Sequence, residues 1–174
     1  MVKILVLGRP GSGKTTLIKR INNAFPRVFE GFLTEEIRKD GGRVGFSVET
    51  LSGEKGILAS KNLSSRFCVG RYGVNLQSFE STALPALEKA LREKKPCLID
   101  EVGKMELFSA SFRELVLKLW NSQQLVVATS CLPMIEWVEK NLVLIKNPLV
   151  LYLSIGAREQ CYLELKKELE KLLL

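Results

Sequence analysis

The chain has 174 residues, of which 46% are hydrophobic and 26% are charged, and it contains no histidine. This length and composition are typical of a soluble globular protein with one domain, here residues 1–174, and the apolar runs are too short to cross a membrane. Because imidazole is absent, every mechanism that needs histidine as a base, an acid or a metal ligand is excluded. Proton transfer must therefore fall to carboxylates, lysines or hydroxyls.

The net charge of +7 is compatible with a nucleic-acid partner. However, the basic residues are interspersed with acidic ones, as in Lys166-Lys167-Glu168, and only 7% of the residues are aromatic. Nucleic-acid surfaces usually carry blocks of like charge or aromatic rings for base stacking. We therefore expect no nucleic-acid partner, and we attribute the charge to solvated helix faces and a phosphate site.

The four cysteines, Cys68, Cys97, Cys131 and Cys161, are scattered and form no C-x-x-C pair. Together with the lack of histidine, this spacing argues against a structural zinc site and against a secreted disulfide framework. Met1-Val2-Lys3 leads directly into a predicted strand and leaves no room for a signal peptide. We therefore expect a cytoplasmic protein, and we expect it to be a monomer.

The first predicted strand and helix enclose the most specific motif of the chain. Val2–Leu7 is a short apolar run, and Thr16–Ala24 has the spacing of an amphipathic helix. Between them, residues 8–15 match the phosphate-loop pattern G-x-x-x-x-G-K-[ST] at every position. A strand, this loop and a helix, in that order, are the context that supports the motif. We therefore predict that the chain binds a nucleoside triphosphate.

The chemistry of such a loop suggests roles for its residues. Glycines let the backbone wrap around an anion with N–H groups pointing inward, and the following helix adds the positive end of its dipole. Lys14 can reach the β- and γ-phosphates and assist catalysis, while the Thr15 hydroxyl can bind Mg²⁺. The predicted nucleotide-binding residues are Gly8, Arg9, Pro10, Gly11, Ser12, Gly13, Lys14, Thr15 and Thr16.

The next part of the chain has the pattern of antiparallel strands. Residues 32–38, 43–50 and 55–59 read as strands that are separated by turns rich in glycine and charged residues. We predict an antiparallel β-meander inserted at about residues 29–59. A polar, irregular segment over residues 60–75 follows it.

Beyond this segment, apolar strands alternate with helices. The predicted elements are a helix over Leu76–Glu93 that is kinked or restarted at Pro85, a strand at Cys97–Ile99, a helix over Ser111–Asn121 with Ser111 as N-cap, a strand at Leu125–Thr129, a short helix opened by Pro133, strands at Leu142–Ile145 and Leu149–Leu153, and a closing helix from about Glu159 to Leu174. This order predicts an α/β fold with a mostly parallel sheet and helices on both faces. Ligands of such sheets bind at the carboxyl ends of the strands.

Pro96–Glu101 has the form of a Walker B strand, an apolar run that ends in acidic residues. Asp100 is the predicted second Mg²⁺ ligand, opposite Thr15. Glu101 can orient and deprotonate a water beside the γ-phosphate, or it can simply flank the metal ligand. If it acts as a base, the chain hydrolyses its nucleotide.

Three further charged residues are candidates with weaker support. Lys104 follows Gly103 on the same edge and could stabilise charge on the transferring phosphoryl group, or it could be a solvated lysine. Arg71 and Glu36 could face the γ-phosphate, although a surface salt bridge explains each of them better.

Asp100–Phe108, with the sequence D-E-V-G-K-M-E-L-F, resembles the signature of a small nucleoside-triphosphatase family of thermophilic bacteria and archaea. A human relative in this family is the cancer-related nucleoside triphosphatase. The likeness covers nearly the whole chain, and it continues in the segments Gly31–Arg38, Gly42–Phe46, Val69–Val74 and Phe79-Glu80. Several of these segments are more specific than the phosphate loop alone.

The resemblance implies a RecA-like P-loop fold with an added meander. It also implies Mg²⁺-dependent hydrolysis of ATP, GTP and other nucleoside triphosphates to diphosphate and phosphate, with broad base tolerance. One position departs from the family, which tends to show Asn-Arg near the last strand. Gly156-Ala157-Arg158 keeps only the arginine, so a role in holding the base or ribose is not carried over.

Two other classes of function remain open from the residues alone. A small nucleotide or nucleoside kinase would start with the same loop, but it would need an acceptor pocket and an arginine-bearing lid, to which Arg66 and Arg71 could belong. A regulatory switch would hydrolyse slowly and respond to a partner. The preferred base is not predicted, because the GTPase motif Asn-Lys-x-Asp is absent.

Overall fold

A computed structural model describes residues 1–173. The strands in this range are β1 (Lys3–Gly8), β2 (Glu30–Lys39), β3 (Gly42–Thr50), β4 (Lys55–Ser60), β5 (Cys68–Val69), β6 (Tyr72–Val74), β7 (Cys97–Ile99), β8 (Val126–Cys131) and β9 (Leu149–Leu153). The helices are α1 (Lys14–Ala24), α2 (Leu76–Glu93), α3 (Ala110–Asn121), α4 (Glu136–Leu142) and α5 (Arg158–Leu173), with short 3-10 helices at Glu106–Phe108 and Ile155–Ala157. Within these residues no helix is long and apolar enough to span a bilayer.

All these strands form one mixed sheet in the order β5-β6-β4-β3-β2-β7-β8-β1-β9. Strands β7, β8, β1 and β9 pair in parallel, whereas the ladders that join β2 through β6 are antiparallel. The prediction of a mostly parallel sheet is therefore only partly right. The predicted meander is part of the same sheet, and short strands β5 and β6 lie in the segment expected to be irregular.

Strand β2 joins the two halves because it is much longer than its parallel neighbour. Residues Glu30–Phe32 pair in parallel with Cys97–Ile99, which is all of β7. From Phe32 to Lys39, β2 pairs with β3 in an antiparallel ladder. The second half of β2 therefore extends past the point where β7 ends.

Two apolar cores cover the two faces of the sheet. On one face, α1 and α5 place Ile18, Ile21, Leu165 and Leu169 against the sheet, each fully buried. On the other face, α2 and α3 contribute to a core in which Phe32, Phe79 and Phe112 pack edge to face, with ring centroids 5.3–5.9 Å apart. Burial on both faces explains why the parallel strands read as continuous apolar runs.

Two predicted helix ends are wrong. The N-cap of α3 is Ser109 rather than Ser111, because the Ser109 Oγ accepts a hydrogen bond from the Phe112 N–H at 3.1 Å. Helix α4 begins at Glu136 rather than at Pro133. Of the two alternatives predicted for Pro85, a kink or a restart, the restart does not occur: α2 is continuous through Pro85, and its apolar side is buried against the sheet.

One predicted strand is also absent from the described residues. Leu142 ends α4, and residues 143–145 continue from it as turns, in which the Leu144 N–H bonds to the Asn141 carbonyl and the Ile145 N–H bonds to the Leu142 carbonyl. Val143 and Leu144 are 77% and 73% exposed, so this apolar run is not a buried strand. The last residue of the predicted closing helix, Leu174, lies outside the described residues.

Candidate active site

The site lies where parallel strands end at one edge of the sheet. Gly8, the last residue of β1, is in register with Cys131 of β8 and Leu153 of β9, and Asp100 directly follows β7. Strand β8 lies between β1 and β7. The loop after β1 and the carboxylates after β7 therefore meet across the end of β8.

The Gly8–Thr15 loop has the backbone that its sequence predicts. Gly11 and Gly13 have φ angles of 77° and 105°, which residues other than glycine rarely adopt. Helix α1 begins directly afterwards, at Lys14. The buried Lys14 Nζ donates to the Gly8 carbonyl oxygen at 2.9 Å. The buried Ser12 Oγ has no hydrogen-bond partner among the described residues. A hydroxyl group without a partner and a lysine at the N-terminus of a helix are groups that can bind an anion.

Asp100 is held by two hydroxyl groups from different elements. The Thr15 Oγ1 donates to its Oδ2, and the Thr129 Oγ1 donates to its Oδ1, each at 2.6 Å. Only 1% of Asp100 is exposed, and this burial raises the pKa of the carboxyl group, while the two hydroxyls and the Lys14 charge act to lower it. The structure thus places a buried carboxylate and a hydroxyl side by side.

Thr15 and Asp100 fit a magnesium ion by their chemistry, because both present hard oxygen donors. Within residues 1–173, no group of three or more His, Cys, Asp or Glu side chains could hold a metal ion. Two protein oxygens suit Mg²⁺, which usually keeps several waters and takes further oxygens from substrate phosphates.

Glu101 lies beside the lysine of the loop. Its Oε2 is 3.6 Å from the Lys14 Nζ, and its side chain is 28% exposed. Burial is the main cause that raises the Glu101 pKa, and the nearby Asp100 adds to it, while Lys14 opposes both. A partly accessible carboxylate with a raised pKa is a better proton acceptor than a free glutamate. It could take a proton from a water molecule.

The other predicted residues lie around this centre. Arg9, Pro10, Gly11 and Thr16 form the exposed outer side of the loop. Lys104 is exposed, and its charge opposes the burial that raises the pKa of Cys131, the last residue of β8. Lys104 therefore lies at the same edge of the sheet as Glu101. Within residues 1–173 it forms no hydrogen bond or ion pair with the Gly8–Thr15 loop.

Two of the weaker candidates, Glu36 and Arg71, lie away from the phosphate loop. Glu36 accepts from Arg38 at 2.7 Å and from Arg43 at 2.9 Å, so it forms surface ion pairs on the meander. Arg71 is exposed on the loop before β6. Neither residue contacts the Gly8–Thr15 loop among the recorded contacts of the described chain.

Arg158, which had no assigned role, contacts the loop directly. Its Nε donates to the Ser12 carbonyl at 2.8 Å, and its Nη2 donates to the Gly11 carbonyl at 3.0 Å. Because these carbonyls are held on the outer side, the loop N–H groups stay free to face an anion.

Sequence reasoning missed two other residues at this edge. Thr129 was predicted only as the end of a strand, yet its hydroxyl binds Asp100. Glu106 was part of the family signature without a role, yet it is buried near Glu101. The signal for Thr129 was the pair Thr129-Ser130, two polar residues directly after an apolar run at the same edge as Asp100.

A sequence model of a family described as NTPase matches residues 3–148 of the chain. The chain belongs to the NTPase family. A curated family relative, "Nucleoside-triphosphatase THEP1" of Thermotoga sp. (strain RQ2), is 52% identical over 128 residues, which cover 74% of this chain and 73% of the relative. The predicted family resemblance is thus confirmed.

Two solved structures of NTPase relatives share the fold. The crystal structure of THEP1 from Aquifex aeolicus superimposes with a TM-score of 0.87 at 38% identity, covering 94% of this chain and 96% of that one. The solution structure of a human cancer-related nucleoside triphosphatase superimposes with a TM-score of 0.84 at 32% identity, covering 98% of both chains. The predicted α/β fold is confirmed, with the mixed sheet described above.

Proposed function

We propose that this enzyme hydrolyses nucleoside 5'-triphosphates to nucleoside diphosphate and phosphate, with Mg²⁺ as cofactor. The names of the NTPase relatives support the reaction class. The observation that carries the mechanism is the position of Glu101, 3.6 Å from the loop lysine and directly after the carboxylate that Thr15 contacts. A phosphate loop alone binds nucleotide, whereas a carboxylate beside it provides a base for water.

In this mechanism the loop holds the triphosphate. Its inward N–H groups and the start of α1 bind the phosphate oxygens, and the Lys14 Nζ exchanges its bond to the Gly8 carbonyl for one to a phosphate. The Thr15 hydroxyl and the Asp100 carboxylate would hold Mg²⁺, which would supply positive charge to the phosphates when bound. Thr129 keeps the Asp100 carboxylate oriented through its 2.6 Å hydrogen bond.

Glu101 then accepts the proton of the water that attacks the γ-phosphate. Burial of the site strengthens its interactions with charge because the local dielectric is low. Lys104, which is exposed on the same edge, moves toward the γ-phosphate and stabilises charge in the transition state.

We propose that the base is accepted broadly, with ATP and GTP among the substrates. The groove beside the loop is lined by Gly13, Thr16, Leu17, Arg20, Leu153 and Arg158. Aliphatic and guanidinium groups contact the faces of all bases similarly, because stacking and cation–π contacts do not read a base edge. We also retain the sequence-based proposals that the protein is a cytoplasmic monomer and works without nucleic acid.

A phosphate-release panel tests this function. Nucleoside tri- and diphosphates are assayed with and without Mg²⁺, and with added nucleosides and nucleoside monophosphates as acceptors; K14A is the inactive control. We expect Mg²⁺-dependent release from several triphosphates that does not depend on an acceptor. Product formation that requires an acceptor would instead identify a kinase, and turnover only with a cellular partner would identify a switch.

A further inference from the structure

Glu106 is a buried carboxyl group that the proposed reaction does not use. It begins the 3-10 helix Glu106–Phe108, and only 3% of it is exposed. Within residues 1–173 no lysine or arginine forms an ion pair with it, in contrast to the Lys14 contact of Glu101. A buried acid without a neighbouring cation costs free energy when it is charged. Glu106 is therefore a candidate for a role in the site.

Gly103 lies between Glu106 and the proposed base. A Cβ atom added to Gly103 would be 2.6 Å from the Oε2 of Glu106 and 2.7 Å from the Oε1 of Glu101. Both carboxyl groups therefore reach the same point beside the Gly103 backbone. Only a residue without a side chain leaves room for this arrangement.

The surroundings of the two acids differ. Burial, together with the negative charge of Glu101, raises the Glu106 pKa well above its usual range, although two backbone N–H groups oppose this. Glu106 is buried beside Gly103 without an ion pair in residues 1–173, whereas Glu101 is more exposed and lies 3.6 Å from the Lys14 Nζ.

The loop that carries both acids is fixed by hydrogen bonds to its backbone. The Val102 carbonyl accepts from the Ser130 hydroxyl at 2.8 Å, and the Leu107 N–H bonds to the Gly103 carbonyl at 3.0 Å. The Ser109 N–H bonds to the Glu106 carbonyl, also at 3.0 Å. These bonds fix the backbone on both sides of Gly103, and with it the place at which the Glu106 side chain is buried.

We propose that Glu106 is a positioning residue for hydrolysis: its side chain, held beside Gly103, restricts the Glu101 side chain to the orientation that faces the attacking water. This inference rests on the function proposed above. Loss of such orientation lowers turnover without weakening nucleotide binding, because Glu106 does not touch the phosphate loop.

The test compares E106L, E106Q and G103A with the wild type. Glutamine keeps the shape and a hydrogen-bond donor of a neutral carboxyl group, whereas leucine removes both. We expect kcat of E106L to fall by about 10- to 100-fold and that of E106Q to stay within about threefold. G103A, which keeps both acids but places a methyl group between them, should also lose kcat. The dissociation constant for a non-hydrolysable ATP analogue with Mg²⁺ should change less than about twofold in all three.

E30Q is the matched control, since Glu30 is also a buried acid but lies at the opposite edge of the sheet. It should keep the wild-type kcat. Folded E106L with wild-type kcat would overturn the inference, as would an equal loss in E106Q and E106L. If E106L does not fold, wild-type kcat in G103A would overturn it. Wild-type kcat in E101Q would overturn the proposed function itself, whereas an inactive E101Q with an active E106L would overturn this inference alone.

Discussion

At the amino edge of the parallel strands, buried charges have partners that satisfy them. The Lys3 Nζ, at the start of β1, donates to the Ser122 carbonyl at 2.9 Å and to the Gln124 carbonyl. Glu30, at the start of β2, pairs with Lys89 at 2.7 Å and with Lys95 at 3.2 Å. These groups join strands to helix ends, and they leave little for a ligand to bind.

At the carboxyl edge the buried polar groups have fewer ion-pair and hydrogen-bond partners. Asp100 is bound by hydroxyls instead of a cation, the Ser12 Oγ has no partner among the described residues, and Glu106 is buried without an ion pair in residues 1–173. Groups left in this state cost stability in the free protein. The difference between the edges therefore separates residues kept for stability from residues kept for a ligand, and four substitutions test this separation.

D100N should show the largest effect, with opposite signs for activity and stability. Turnover should fall by about 10³-fold, because a metal ligand is lost. Burial raises the folded-state pKa of Asp100, so the charged form destabilises the fold once the pH rises through that pKa. Without nucleotide and Mg²⁺, D100N should thus melt higher than the wild type, by roughly 2–4 °C at neutral pH, and this gain should vanish at acidic pH.

E30Q is the counterpart of D100N at the amino edge. It removes the partner of two lysines, so we expect a lower melting temperature with unchanged kcat. If E30Q and D100N shift the melting temperature in the same direction, the proposed contrast between the edges is wrong.

T129V tests whether the end of β8 serves the site. Valine keeps the shape of threonine but removes the hydroxyl that donates to the Asp100 Oδ1 at 2.6 Å. We expect kcat to fall by about tenfold, as for the loss of one hydrogen bond to a charged group. T50V is the control, because the buried Thr50 hydroxyl donates to Glu54 at the turn between β3 and β4 and not to Asp100. Equal effects of the two variants on kcat would argue against the role of Thr129.

R158A should have the smallest effect. Without the guanidinium, the Gly11 and Ser12 carbonyls lose their donors, and the loop becomes less ordered before nucleotide binds. We expect KM to rise by about three- to tenfold with a smaller change in kcat. The neighbouring variant E159A, which removes only the exposed pair with Arg20, should leave both parameters unchanged. A KM that is unchanged in R158A would show that the loop is ordered without Arg158.

Much of this site could be predicted from the sequence because its motifs are local. The loop pattern fixes the positions of Lys14 and Thr15, and an apolar strand that ends in Asp100-Glu101 places two carboxylates at the same edge. Parallel strands then bring the two segments together. The pairing of Thr15 with Asp100 follows from these rules and is found at 2.6 Å.

The features that could not be predicted depend on distant contacts. Thr129 reaches Asp100 only because β8 lies between β1 and β7, and strand order is not visible in a local pattern. The mixed sheet follows from the length of β2 relative to β7, and Ser109 replaces Ser111 as the cap because its backbone is extended where the helix begins. The apolar run over residues 142–145 is not a strand, because it is exposed and held in turns that follow α4.

The central claim, that Glu101 activates water on a triphosphate bound at the Gly8–Thr15 loop, is tested most directly with E101Q. Steady-state phosphate release and binding of a non-hydrolysable ATP analogue are measured with Mg²⁺, and E36Q, a glutamate paired on the meander, is the control. We predict that E101Q binds the analogue within about twofold of the wild type but loses kcat by about 10²- to 10⁴-fold, while E36Q keeps both. Phosphate release by E101Q at the wild-type rate would contradict the account.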